Sequence, residues 1–356
     1  SLFLGRIQIP IRCTLPIRCA HVALARTRNC KLTFRARTCA CNFAKMADNG
    51  KLGTEFVGKK RNGRPYGMPG KRLCTATFAD CGENEPGMEM IGTMGGEEVA
   101  HTVADLEAMR DELVAKGVDA KVHKFDELAS GMVPLGLPPM PEAAVLVIRR
   151  HDALVTASDV TTIERELWKT PIDTVAMMGR GKRRAIMNKN ARHNNCMTDN
   201  AVRPASVAAK EDYAEGRGSV ADLQTIPELA RLRDRLAALV KRDLPVVENN
   251  FYYEIGSKCG IGWHGDKERR VTVLMRFGEA SKDMDLKFQF FWNYKATGPI
   301  FQFHLKSGDI VVMSRVANGK DWDDPPMKRW TMRHATGKSH SKPKDPINAG
   351  EHMLVN

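Results

Sequence analysis

The chain has 356 residues, with 55 Lys and Arg against 42 Asp and Glu, and a formal net charge of +13. Hydrophobic residues make up 42% of it, which is enough to bury a core and excludes disorder throughout. No run approaches the ~20 consecutive apolar residues of a membrane span, so an integral membrane protein is not expected, whereas the positive charge suits a polyanionic partner such as nucleic acid.

Most of the positive charge lies at the start of the chain. Residues 1–45 hold seven Arg, two Lys and no acid, which is +9 of the +13, together with five of the nine Cys. Two interpretations compete: an organelle transit peptide, or translated upstream sequence with Met46 as the true start. We favour the second, because the segment is poor in Ser, and we exclude it from the fold in either case. The remaining Cys show no metal-binding spacing and indicate an intracellular protein of nucleus or cytoplasm, or of an organelle if a transit peptide is present.

Residues 46–95 are rich in Gly, Pro and charge and predict a disordered basic arm. Within it, KKRNGRPYG at 59–67 has the Gly-Arg-Pro core of an AT-hook, which inserts Arg into a narrow A·T minor groove. Asn62 replaces the first Arg of that motif. We therefore favour a solvated basic linker over a DNA-binding arm.

Residues 96–200 predict a mixed α/β extension. Apolar residues recur at helical spacing from Val99 to Leu113, with Glu97 at the positive end and Lys116-Gly117 at the C-terminus, so we expect a helix there. A strand is expected at 143–149.

Residues 201–340 predict one helix followed by an all-β segment. The helix is expected from Thr225, with Thr225 and Glu228 as a capping box and Pro227 in the first turn. Six strand-like runs follow with short turns between them, which is typical of an antiparallel sandwich or barrel: 251–255, 271–277, 286–292, 299–305, 309–314 and 329–335. Residues 341–356 are expected to be a disordered tail.

The sharpest local feature is GIGWHGDKERR at 260–270. On a strand, His264 and Asp266 would point to the same face, and an imidazole and a carboxylate so placed can share one metal. A distant second His would complete the 2-His-1-carboxylate set that leaves positions open on Fe(II). The downstream candidates are His304, His334, His340 and His352, and we favour His334 because it closes a strand after the Gly308-Asp309 turn.

These residues carry a family resemblance. The pieces NFYYEIGSKCGIGWHGDKERR, VTVLMRFGE, SGDIVVMSRVANGKDW and WTMRHATG resemble the AlkB-like branch of the Fe(II)/2-oxoglutarate oxygenases. NKNARHNNCMTDN at 188–200 looks like the substrate-side loop of that branch. The likeness is greatest to the AlkB-like proteins of algae and their large DNA viruses, and it covers roughly residues 97–340.

The resemblance implies a fold and a chemistry. The implied fold is α+β: a double-stranded β-helix (jelly-roll) core at 201–340, preceded by the mixed α/β region. It implies Fe(II) held by His264, Asp266 and His334, with 2-oxoglutarate and O₂ as cosubstrates. Asn250 and Tyr252 match the strand that contacts 2-oxoglutarate in this family.

The far carboxylate of 2-oxoglutarate requires a cationic partner, preferably an Arg fork. The family pattern has an Arg after the distal His, but no Arg follows His334 here. The choices are Arg329 or Arg333 before it, and Lys338 or Lys342 after it. We assign Arg333, although the alignment that supports it would place the distal ligand near Trp322.

On the substrate side, the resemblance implies contacts from Arg192 and Asn194. The expected reaction is hydroxylation of an alkyl group, such as an N-methyl group on a nucleobase in DNA or RNA, with loss of formaldehyde. One alternative is an oxygenase of the same fold acting on protein or a small molecule. Another is a catalytically silent jelly-roll that binds nucleic acid or a partner. The oligomeric state is not determined by these patterns.

Overall fold

A computed structural model of the protein describes residues 72–83, 85–179, 184–189, 192–199, 211–253, 259–279, 282–325, 328–337 and 352–355. The strands, in chain order, are β1 (Leu73–Ala79), β2 (Cys81–Glu83), β3 (Met90–Gly92), β4 (Ala120–Lys124), β5 (Ala144–Ile148), β6 (Val175–Met178), β7 (Ala185–Asn188), β8 (His193–Thr198), β9 (Val220–Asp222), β10 (Val246–Tyr252), β11 (Ile261–His264), β12 (Thr272–Gly278), β13 (Leu286–Trp292), β14 (Lys295–Phe303), β15 (Ile310–Met313), β16 (Trp330–Thr336) and β17 (His352–Val355). The helices are α1 (Val103–Ala115), α2 (Phe125–Leu128), α3 (Ala157–Leu167), α4 (Pro227–Val240) and α5 (Arg315–Asn318).

The fold is α+β and rich in strands, as predicted. The larger sheet has eight strands in the order β4-β5-β15-β12-β1-β10-β8-β9, and the smaller has five in the order β11-β16-β13-β14-β17. Neighbouring strands are antiparallel except for the pairs β8–β9 and β14–β17. Two short hairpins, β2–β3 and β6–β7, lie outside these sheets.

Helices cover one face of the eight-stranded sheet. Strand side chains such as Phe78 and Val273 pack there with Leu106 of α1, Ile163 of α3 and Leu232 of α4 in one buried apolar cluster. Because side chains alternate along a strand, the intervening residues point to the opposite face. That second face is turned toward the five-stranded sheet.

The interior between the two sheets has an apolar end and a polar end. At the apolar end, Leu274 and Val311 of the larger sheet pack with Phe288 and Phe301 of the smaller. At the polar end, the side chains that project from both sheets are polar yet buried: Thr75, Glu248, Asn250, Arg276 and Thr336. Buried polar groups in such number cost free energy unless they are paired or bind a ligand, so the polar end is where a site is expected.

The prediction that residues 46–95 form a disordered arm is wrong for their described part, 72–83 and 85–95. β1 lies between β10 and β12 at the centre of the larger sheet, and all seven of its residues are buried. Its sequence, LCTATFA, alternates Thr with apolar residues and follows a Gly- and Pro-rich stretch, so its composition does not mark it as a core strand. Residues 1–45 and the Gly-Arg-Pro segment at 59–67 lie outside the described residues.

The predicted domain boundary between residues 200 and 201 is not a boundary of the fold. The eight-stranded sheet combines β4 and β5 from before that point with β10, β12 and β15 from after it. The described residues on both sides of that point belong to one compact unit. The tail at 341–356 is likewise not wholly disordered, since β17 pairs with β14.

The six strands predicted after residue 250 are all present, with ends shifted by a few residues. Among the described residues, α5 is the one α-helix that interrupts them, and it is a single turn.

Two predicted helix starts are wrong. α1 begins at Val103, where Thr102 and Asp105 form the capping box. At α4 the N-cap is Ile226, because the Thr225 hydroxyl donates to the Asp222 carbonyl at 2.6 Å instead. No helix in the described ranges is long and apolar enough to cross a membrane.

Candidate metal centre

Two histidines face each other across neighbouring strands of the five-stranded sheet. β11 and β16 are antiparallel, and His264 lies opposite His334 in their register. Directly opposed residues on antiparallel strands share a face and hold their Cβ atoms about 4.5–5.5 Å apart. The two ring centroids are accordingly 4.4 Å apart, with the planes at 65°.

Asp266 joins this pair from just beyond the strand. β11 ends at His264, so the prediction that both residues lie on a strand holds only for the histidine. Oδ1 of Asp266 lies 3.6 Å from Nε2 of His264 and 3.4 Å from Nε2 of His334. All three ligand atoms lie within 4.8 Å of one another. Separations near these values are roughly what metal bonds of ~2.0–2.2 Å to one ion need.

The turn between His264 and Asp266 requires a glycine. A Cβ on Gly265 would lie 1.9 Å from the carbonyl oxygen of Gly319, so no side chain fits there. Gly319 follows α5 and has a φ of 69°, a conformation that favours glycine. The backbone N–H of Asp266 donates to the carbonyl oxygen of Asn318 at 2.9 Å. The loop at the end of α5 therefore fixes the backbone of Asp266.

Side chains around Asp266 orient its carboxylate. The Asn318 amide donates to the carbonyl oxygens of Asp266 and Arg269, at 3.2 and 3.1 Å. The Thr272 hydroxyl is within 3.4 Å of Oδ2 of Asp266 and also donates to Asn318. Arg269, whose guanidinium pairs with Glu248, has its Nε 3.8 Å from the same Oδ2. Neighbours of this kind hold metal-binding carboxylates in place.

The protonation states of Asp266 and His264 suit a divalent cation. Burial alone would raise the pKa of Asp266, but the His334 imidazole and the Arg269 guanidinium outweigh it and hold that pKa well below its usual range. Burial, and then the neighbouring His334, lower the pKa of His264 to about 3. Nδ1 of His264 lies 2.7 Å from the Gly262 carbonyl oxygen and donates to it in the tautomer that leaves Nε2 available. An ionised carboxylate and a neutral imidazole are the forms that bind metal.

Among the residues that the structure describes, the cluster contains no distal histidine besides His334. Nδ1 of His304 lies 2.8 Å from Oδ1 of Asp285. His352 begins β17, which is at the edge of the five-stranded sheet opposite to β11. His340 lies outside the described residues.

The assignment of Arg333 to the cosubstrate carboxylate is wrong. Successive strand residues point to opposite faces, so Arg333 lies on the other face of the sheet from His334. Its guanidinium stacks 4.1 Å from the centroid of Phe291 and 4.9 Å from that of Trp322, and its Nη2 donates to the Trp322 carbonyl at 3.2 Å. Arg333 therefore cannot reach the interior where the three ligands meet.

The predicted cosubstrate strand and the predicted substrate loop meet next to the cluster. Asn250 and Tyr252 lie buried on β10, and Nε of Arg192 donates to Oδ1 of Asn250 at 2.5 Å. Asn194 lies opposite Asn250 in the β8–β10 register and accepts a hydrogen bond from Lys189. Arg192 is close enough to contribute to lowering the pKa of His264.

Comparison with known proteins identifies a viral relative. The chain is 32% identical over 268 residues to uncharacterized protein R156 of Acanthamoeba polyphaga mimivirus, a match that covers 75% of this chain and 96% of the viral protein. The chain belongs to the family of this mimivirus protein. No protein-family model matches it. The name of the viral relative states no activity, so the function must be argued from the site.

Sequence reasoning did not single out three buried polar residues that lie at or near this site: Asn318, Thr75 and Arg276. Asn318 lies within SGDIVVMSRVANGKDW, one of the pieces that carry the resemblance, but was not singled out there, and Thr75 lies in none of those pieces. Arg276 does carry a signal, because it is a lone charged residue inside the apolar strand VTVLMRFG. A charge in such a strand is either paired or functional once buried, and Arg276 is only 2% exposed.

Proposed function

We propose that this protein is an AlkB-like Fe(II)/2-oxoglutarate-dependent dioxygenase that hydroxylates, and so removes, an alkyl group on a nucleobase in DNA or RNA. The two facing sheets would be the jelly-roll core of that family. The observation that carries the proposal is the meeting of His264, Asp266 and His334 within 4.8 Å at the polar end of the interior.

The donor set fits Fe(II). Two imidazole nitrogens and one carboxylate oxygen form the 2-His-1-carboxylate set, which leaves coordination positions for a cosubstrate. Nδ1 of His264 is already engaged with a backbone carbonyl, so Nε2 is the nitrogen turned toward Asp266. When bound, Fe(II) with 2-oxoglutarate would supply the activation of O₂, and the cosubstrate would leave as succinate and CO₂.

The chain's own residues would bind the metal and orient the carboxylate that holds it. His264, Asp266 and His334 would hold the metal, while Arg269, Thr272 and Asn318 would keep Asp266 aimed at it. Apolar packing between the sheets closes one end of the interior to water. A ligand would therefore enter from the side of Arg192, where the polar end approaches the surface.

The nucleobase substrate is supported by the sequence resemblance and by one surface feature. The hairpin β6–β7 precedes Arg192 and exposes Ile186 and Met187, which are 50% and 52% accessible. These exposed apolar side chains precede the cationic Arg192 by six and five residues in sequence, and such a combination suits the face of an extruded base and its phosphate. The net charge adds little support for a nucleic-acid substrate, because residues 1–45 hold +9 of the +13.

The metal assignment predicts which histidine is essential. His264→Ala should lower 2-oxoglutarate-dependent succinate formation on the order of 100-fold or more, since even indirect changes at metal sites cost roughly 10–100-fold. The matched control is His151→Ala, which removes a histidine that is not in the cluster and whose Nδ1 accepts from the exposed backbone N–H of Ala153. Succinate would be measured after anaerobic loading with Fe(II) and exposure to O₂. Equal turnover in wild type and His264→Ala would refute the proposal.

The substrate class is tested in the same assay. Oligonucleotides with N-methylated bases should increase succinate formation and release formaldehyde in step. Stimulation by peptides or small molecules instead would identify an oxygenase of another substrate class. An inability to bind Fe(II) at all would favour the catalytically silent binding module.

A further inference from the structure

We propose that Arg276, assisted by Thr75, binds the distal carboxylate of a 2-oxo dicarboxylic acid whose other end lies at the His264–Asp266–His334 cluster. This inference rests on the proposed function and deepens it, because it identifies the residue that makes the site selective for a diacid cosubstrate.

Arg276 is a buried cation with donors to spare. Its side chain lies inside the sandwich at 2% exposure, and Nη2 donates to Oγ1 of Thr336 at 3.0 Å. Nε and Nη1 are buried and have no hydrogen-bond partner among the described residues. An uncompensated buried guanidinium is costly. A planar anion that accepts from two of these donors would remove that cost, and a carboxylate has the matching geometry.

Strand register places further donors beside Arg276. Thr75 of β1 lies opposite Arg276 on one side and Asn250 on the other, so the three side chains form a row across the larger sheet. Oγ1 of Thr75 is also buried without a partner among the described residues. Two neighbouring donors thus lack an acceptor at the same place.

The distance to the metal ligands suits a short diacid. Thr336, which accepts from Arg276, lies two residues after His334 on the same face of β16. Two residues along a strand span about 7 Å. A five-carbon diacid such as 2-oxoglutarate can bridge that interval, with its 2-oxo acid end at the cluster and its distal carboxylate at Arg276.

The acidic residue near Arg276 is already engaged. Asp285 attracts Arg276 electrostatically, but its Oδ1 pairs with Nδ1 of His304 at 2.8 Å and its Oδ2 accepts from Gln302 at 2.6 Å. Tyr252 also lies near. Burial raises its pKa to about 12, although Arg276 lowers it, so its hydroxyl stays protonated. The surroundings therefore leave the cationic donors for an external carboxylate.

Binding of two probes tests the assignment without turnover. Calorimetry under anaerobic conditions, with Fe(II)-loaded full-length protein, would compare 2-oxoglutarate with 2-oxopentanoate, which lacks the distal carboxylate. Wild type should prefer 2-oxoglutarate. Arg276→Met should weaken 2-oxoglutarate binding roughly 10- to 100-fold and leave 2-oxopentanoate binding unchanged, and Thr75→Val should weaken it less. Arg333→Met is the matched control and should bind both acids as wild type does.

Three results would overturn this inference: equal affinity of wild type for the two acids, unchanged 2-oxoglutarate affinity in Arg276→Met, or a loss that falls on Arg333→Met instead. If Arg276→Met does not fold, Arg276→Lys, which keeps the charge but not the fork, should still show weakened 2-oxoglutarate binding, and equal wild-type affinity for the two acids would overturn the inference without any variant. Failure of wild type to bind either acid would remove the proposed function as well. Diacid binding that depends on Arg276 but yields no succinate would remove the proposed function alone.

Discussion

At the level of single residues, the candidate site depends on neighbouring residues that bind no metal as much as on its three ligands. Gly265 lets the chain turn between His264 and Asp266 while the backbone of Gly319 passes directly against it. Asn318 then ties the carbonyl of Asp266 to that of Arg269. The position of the carboxylate is thus set by the loop after α5, which is distant in sequence.

Gly265→Ala should therefore disturb the metal site. The added methyl group would lie 1.9 Å from a backbone oxygen, so the turn must shift and carry Asp266 with it. We expect Fe(II) affinity to fall roughly 10- to 100-fold, measured by anaerobic titration. Gly82→Ala is the control, because the same methyl group there meets its nearest atom at 3.4 Å. Wild-type affinity in Gly265→Ala would show that the close approach of the two backbones is unimportant.

At the level of strands and helices, β1 connects the core to the site. Its Phe78 face packs under the helices, and its Thr75 face lines the polar end of the interior. Both of its neighbours, β10 and β12, carry residues of the candidate site. A strand in this position stabilises the sheet and orders the site at once.

Phe78→Ala should accordingly destabilise the whole protein. Phe78 is fully buried, and removing a buried aromatic ring costs roughly 3–5 kcal/mol through lost burial and the cavity left behind. The free energy of unfolding would be measured with a chemical denaturant. Met132→Ala, at a side chain that is 49% exposed, is the control and should change it by about 0.5 kcal/mol or less. A small effect of Phe78→Ala would contradict the central position of β1.

At the level of the whole molecule, burial also sets the response to pH. His101 and His123 are buried, and burial lowers the pKa of each to about 4, with help from Arg242 at the first and from Lys121 and Arg149 at the second. Their ordinary pKa is 6.5. Between these values the unfolded chain binds protons that the folded protein does not.

The contribution of these two histidines to the free energy of unfolding should therefore be greatest above pH 6.5 and fall as the pH drops toward 4. Each such histidine contributes a slope of at most about 1.4 kcal/mol per pH unit. Denaturant unfolding at several pH values would measure it, on metal-free protein. His101→Leu should reduce the slope, because one proton fewer is then taken up on unfolding. A slope that is the same in His101→Leu and wild type would contradict this.

The local pattern of the chain was enough for much of the fold. Strand-like runs separated by short turns predicted the strands after residue 250, and apolar residues at helical spacing predicted α1. Both signals work because they arise from residues that are neighbours in sequence. β1 was not predicted, because Thr75 and Thr77 face the polar interior and interrupt the apolar pattern that is typical of buried strands. The predicted division at residue 200 failed because strand pairing joins segments far apart in the chain.

The same distinction holds for the site. His264 and Asp266 are two residues apart, so their partnership could be read from the order of the amino acids, and the choice of His334 needed only that it close a strand. Which face each side chain occupies was a matter of register between distant strands. Register turned Arg333 outward onto aromatic rings and brought Arg276, Thr75 and Asn250 into one row. The amino-acid sequence determines which chemical groups are present, whereas the pairing of strands determines which of these groups come together.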